Sequence, residues 1–267
     1  MQTGTTPTGA VPRTRGYYRA EVLIVLGLSL GQSAVYAVVD LLEKATRAPL
    51  ASQTTTLNPV LDEREVFDLV YQLLGIFFSL VPVALVLFLL AAPGVPAGKP
   101  AGRPVFRRLG FDFARPGLDL GLGFGLALAV GAGTLGVYAA GRALGITTAV
   151  VPSALDTYWW TVPVLVLSAL RHGVVEEVIV VGYLFDRCAR FGWSNWTIIL
   201  ASALVRGSYH LYQGIGPGVG NFLMGLLFGY VYTRTRRVMP LVVAHALLDT
   251  AGFVGYALFG PAIGLGT

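Results

Sequence analysis

A chain with seven apolar runs, six of them of twenty residues or more and the sixth along the chain short, has few folds open to it. The runs cover approximately residues 22–42, 66–92, 118–140, 159–184, 193–212, 221–233 and 240–259. About twenty residues of helix cross the roughly 30 Å hydrocarbon layer of a bilayer. Inside that layer only structures that satisfy every backbone group internally survive, which means helices or closed barrels. Composition agrees: 55% of residues are hydrophobic and 12% charged, against about 25% charged in ordinary soluble domains. The expected fold is all-α, a polytopic transmembrane bundle of about seven spans. Residues 1–16, rich in Pro, Thr and Gly, are expected to be a disordered tail, and 17–267 the membrane domain. The first run is too long for a signal-peptide core and reads as a retained span.

The net charge of +5 does not indicate nucleic acid, because the basic residues lie in short connections between apolar runs. Alternate connections hold 13 Lys or Arg on one side, among them Arg13, Arg15, Arg19, Arg107, Arg108, Arg187, Arg190, Arg236 and Arg237. The other side holds only Lys44, Arg47, Arg64 and Arg142. Positive charge collects on the cytoplasmic side of membrane proteins, so the N-terminus is expected in the cytoplasm and the C-terminus outside. Arg, Ala, Gly and Val in excess, with only two Lys, suggest a bacterial cytoplasmic membrane protein. Cys188 is the single cysteine, so no internal disulfide or cysteine-based zinc site can form.

Against this apolar background a few residues stand out. Glu176 and Glu177 are adjacent inside the fourth run, and the three histidines of the chain, His172, His210 and His245, lie in the fourth, fifth and seventh. An ionisable residue at membrane depth is costly unless paired or wetted, and for that reason marks a functional site. Residues four apart share a helix face, which groups His172 with Glu176, Arg206 with His210, and His245 with Asp249. Glu and His are the side chains of proton transfer and water activation. Asp40, Asp68 and Asp119 fall near run ends, where interfacial water is expected to solvate them. Gly121, Gly123, Gly125, Gly225 and Gly229 are expected to let helices approach closely.

The run Glu176-Glu177-Val178-Ile179-Val180-Val181-Gly182, then Arg206-Gly207-Ser208-Tyr209-His210, then His245-Ala246-Leu247-Leu248-Asp249 resembles the three motifs of the CPBP intramembrane proteases. That family includes the CAAX prenyl proteases and bacteriocin-processing enzymes, and the resemblance covers about 159–259. It implies an intramembrane endopeptidase acting on a membrane-associated peptide or protein. Glu176 and His210 would activate the attacking water, His245 and Asp249 would stabilise the oxyanion, and Glu177 would be the second acidic partner. Arg206 and His172 are auxiliary. Either no cofactor is required or zinc is held by Glu176, His210 and His245. The implied partners are the lipid bilayer and the substrate, not nucleic acid.

Two positions depart from the family pattern. Val181 stands where the family has Arg after the glutamate pair, and Arg206 where it has Phe before the histidine. A charge moved from one motif to the other would explain both, with Arg206 reaching across to Glu177. A catalytically inactive membrane scaffold is the main alternative. A proton- or cation-coupled transporter is the lesser one, since no repeated halves with broken spans are visible.

Overall fold

The computed structural model describes residues 13–91 and 104–260. The part of the expected tail in residues 1–12, and Lys99 and Arg103 of the basic connection, lie outside the described residues. Helix α1 (Arg15–Gly27) begins inside the expected tail, capped by the Thr14 side chain, which accepts from the Tyr17 amide. It is followed by α2 (Leu30–Arg47), α3 (Glu65–Ser79), α4 (Val81–Ala91), α5 (Val105–Leu109) and α6 (Pro116–Ala143). Then come α7 (Thr161–Glu176), a π-helical stretch (Glu177–Tyr183), α8 (Leu184–Arg190), α9 (Asn195–Tyr209), α10 (Ile215–Thr235) and α11 (Met239–Phe259). Two three-residue strands, Thr54–Thr56 and Ala149–Val151, pair in parallel.

The all-α membrane architecture agrees with the sequence, but seven spans is an overcount. Among the described residues four helical stretches are long and apolar enough to cross a membrane: Glu65–Ala91, α6, α10 and α11. The pair α1 and α2, bent by 55°, makes a fifth if it counts as one span. The runs at 159–184 and 193–212 account for the difference. With 15 residues, α9 reaches about 22 Å at 1.5 Å per residue, short of the hydrocarbon thickness. After 16 residues, α7 gives way to the π stretch, and its second half carries Arg171, His172 and Glu176. Chemistry has replaced apolar length in the two segments that build the site.

Charged side chains are paired or hydrogen-bonded at both ends of the bundle. At one end, Arg187 bonds Glu21 at 2.5 Å and Asp186 at 2.8 Å, and Arg108 reaches Asp186 at 3.1 Å. At the same end the α5 turn is stitched to the α10–α11 turn by Val238 N–H to Leu109 C=O and Met239 N–H to Gly110 C=O. Gly110 has φ 62°, and a Cβ there would meet the Arg237 backbone at 2.5 Å, so only glycine fits. The opposite end holds Lys44, which donates to the Tyr212 carbonyl at 2.7 Å, and Arg142, which donates to the carbonyls of Ala51 and Thr147.

Asp68 and Asp119 are not solvated as expected. Both are buried: Asp119 takes two bonds from Arg237, at 2.7 and 2.6 Å, and Asp68 accepts from the Leu61 amide and Gln72. Of the glycines, Gly123, Gly225 and Gly229 do sit at helix seams. Gly121 and Gly125 have no neighbour within 4 Å of a hypothetical Cβ. A Cβ on Gly225 would meet Ala203 at 2.8 Å, and one on Gly173 would meet the Val242 carbonyl at 3.0 Å. These two close approaches draw α10 onto α9 and α11 onto α7, and so bring the three motif-bearing segments together.

Candidate active site

The β-branched run Val178-Ile179-Val180-Val181 favours α-helix poorly, because two groups on Cβ crowd the preceding turn. The chain widens here into the π stretch, a feature that recurs at functional sites. A carbonyl in the stretch is satisfied from the side: the Ser202 hydroxyl of α9 donates to Val180 C=O at 2.8 Å. Glu176 and Glu177 lie where α-helix passes into π-helix, both buried, with Glu177 wholly enclosed.

Between the two carboxylates sits the Arg206 guanidinium. Its Nη1 donates to Glu176 Oε2 at 3.2 Å and its Nη2 to Glu177 Oε1 at 2.8 Å, and it too is fully buried. The Phe228 ring lies 5.6 Å from its charge centre. Arg206 thus stands on both glutamates. Val181 itself is fully buried in the π stretch.

His245 Nδ1 lies 2.7 Å from Glu177 Oε1. An ionised carboxylate can only accept, so Nδ1 carries the proton there. The other ring nitrogen faces Glu176 Oε2 at 4.0 Å and Asp249 Oδ2 at 3.7 Å. His210 follows the last residue of α9 and turns its Nε2 to within 3.7 Å of Glu176 Oε2, with Gln213 beside its Nδ1 at 3.4 Å. His172 does not meet Glu176, its expected face partner. Its Nδ1 pairs across the α7–α11 seam with Asp249 at 3.1 Å.

Glu176, Glu177, His210, His245 and Asp249 therefore form one cluster, with Arg206 at its centre and His172 at its edge. Sequence reasoning missed Tyr209, whose buried hydroxyl donates to Glu176 Oε2 at 2.6 Å. It stands three residues after Arg206, on the face that carries the guanidinium, and that spacing was available to find it.

The helical run continues to Arg190, six residues past the expected end, and α9 starts only at Asn195. Glu176 is then central in a run of 30 residues, and α9 returns to its level by Arg206 (16 Å along its axis at about 1.5 Å per residue).

Metal donors are present in number. Glu176, Glu177 and His245 each offer an atom within 4.8 Å of the others, so the group contains Glu177 where zinc ligation was expected to use His210. A dication there would share both carboxylates with the guanidinium that already bonds them, and the Glu177 oxygen with His245. The residues fit a metal poorly.

Residues 158–251 match the family model described as type II CAAX prenyl endopeptidase Rce1-like, so this region is similar to that family. That family is one of intramembrane proteases, and the chain is an integral membrane protein. No curated protein and no solved structure matches it.

Proposed function

We propose that the protein is an intramembrane endopeptidase that hydrolyses a peptide bond of a membrane-associated peptide or protein, with Glu176 as general base and without a metal. The observation that supports this most is the approach of His210 and His245 to the same oxygen, Glu176 Oε2, at 3.7 and 4.0 Å. Both exceed a direct hydrogen bond, and a water beside that oxygen would have both imidazoles as neighbours. Glu176 takes a proton from that water, its oxygen adds to the scissile carbonyl, and the proton passes to the departing amine. His245, held through Nδ1 by Glu177, donates as an imidazolium from Nε2 to the developing oxyanion, where preorganised donors count most. Glu177 and Arg206 position the other groups.

Peptide cleavage by the purified protein in nanodiscs tests this. In H2 18O one new carboxylate should gain label, and turnover should survive exhaustive dialysis against a strong chelator. Loss under chelation with recovery on adding zinc would overturn the metal-free form. One observation favours a second reading, an inactive scaffold: Arg206 and Tyr209 both donate to Glu176 Oε2, and a base so engaged is a weaker one.

The segregation of charge supports an orientation with the Arg187–Arg237 end in the cytoplasm. Reporter fusions at Arg108 and Arg236 should both read cytoplasm, and one at Gly216, at the other end of α10, should read outside. A shared compartment for Arg236 and Gly216 would reject it.

A further inference from the structure

The three fully buried arginines among the described residues each have an acidic partner. Arg187 is paired with Glu21, Arg206 with Glu177 and Arg237 with Asp119. Arg171, half-buried on α7, makes one side-chain hydrogen bond, to the neutral Ser168 hydroxyl at 3.1 Å, and its Nε is buried with no hydrogen-bond partner. No acid among the described residues lies within ion-pair distance of it. Ser168 is itself fixed, donating to Asn58 Oδ1 at 3.1 Å, while Asn58 donates to the Pro152 carbonyl at 2.7 Å. A buried polar chain thus holds Arg171 in place without neutralising it. Arg171 stands five residues before Glu176 on α7, next to His172, whose ring bonds Asp249 of the same site.

A desolvated cation so placed is suited to an anion that arrives with the substrate. The planar fork of Arg matches a carboxylate, which it binds through two parallel bonds. Arg171 precedes Glu176 by five residues, a rise of about 7.5 Å, which an extended peptide covers in roughly two residues.

We propose that Arg171 is a specificity-determining residue that binds a carboxylate of the substrate about two residues from the bond cut. The substrates are then peptides with an acidic side chain or a free chain end at that place. The inference rests on the hydrolytic reading above.

The test uses the full-length protein in nanodiscs and a pool of synthetic peptides of varied sequence, half with amidated C-termini, with cut sites read by mass spectrometry. Wild type should favour cuts about two residues from a carboxylate, by roughly ten- to hundred-fold, the range for a hydrogen bond to a charged group. Arg171→Lys should keep a weaker preference, Arg171→Gln should lose it, and Arg171→Glu should shift it to Lys and Arg. A preference abolished by amidation identifies the chain end, and one that survives amidation identifies Asp or Glu side chains. Identical cut profiles for wild type and Arg171→Gln would overturn the inference. A capture arm separates it from the hydrolytic reading: peptides retained by Glu176→Gln protein should be rich in carboxylates, and this enrichment should vanish when Arg171→Gln is added. Arg171-dependent capture without any cutting by wild type would support carboxylate binding and end the hydrolytic reading. Absence of both would overturn both.

Discussion

Glu176→Gln should leave a folded, membrane-inserted protein whose turnover is lower by at least about 10²–10⁴-fold, the contribution of a positioned general base. The substitution keeps the shape and most of the hydrogen bonding. An amide oxygen can still accept from Tyr209 and from Arg206 Nη1, which lie 2.6 and 3.2 Å from Glu176 Oε2. It cannot take up a proton from water at neutral pH. The relevant measurement is single-turnover cleavage of one identified peptide by wild type and variant, with thermal unfolding recorded beside it. A variant that cuts as fast as wild type would show that the proton goes elsewhere, and His210 would become the candidate. A wild type with no activity on any membrane peptide would favour the inactive scaffold.

Much of this site was legible because membrane depth makes polar residues conspicuous. Glu176, Glu177, His210 and His245 were recognisable by type and by the segments that carry them, and they converge. The pairings were less legible. Spacing by four residues joined His172 to Glu176, yet His172 bonds Asp249 on the neighbouring helix. Equal spacing along one helix says which residues share a face and nothing about what a second helix brings to that face. Tyr209 went unnoticed beside the more obvious His210. The span count failed for a physical reason: apolar content marks a segment as buried, and α9 buries one face in protein without being long enough to cross lipid. The π stretch lay in plain view as a β-branched run, but a propensity shows where an α-helix is weak, not how the chain will resolve the weakness.

Arg206→Phe restores the residue that the family pattern has at that position, and it should nonetheless destabilise the protein by about 3–5 kcal/mol, the cost of removing one partner from a buried ion pair. The reason lies in what surrounds residue 206. Its guanidinium is the only cation of Arg or Lys type within ion-pair distance of Glu176 and Glu177 among the described residues, and all three side chains are buried. Phe at this position leaves two adjacent carboxylates facing each other, with only histidines as partners. Val181→Arg alone should also be harmful, since it places a second guanidinium, with no free acid, in a fully buried position. The two changes together move the cation from α9 to the π stretch, one turn beyond Glu177, and should recover much of what either loses. The coupling is measured as a double-mutant cycle in unfolding free energy, with turnover as a second readout. Pairs that share a partner couple by about 0.5–3 kcal/mol, whereas independent sites add. A double variant equal to the sum of the singles would mean that position 181 cannot reach Glu177 across the widened helix. The Arg206 ion pairs would then be a separate solution to the buried charge and not a relocation of the family's arginine.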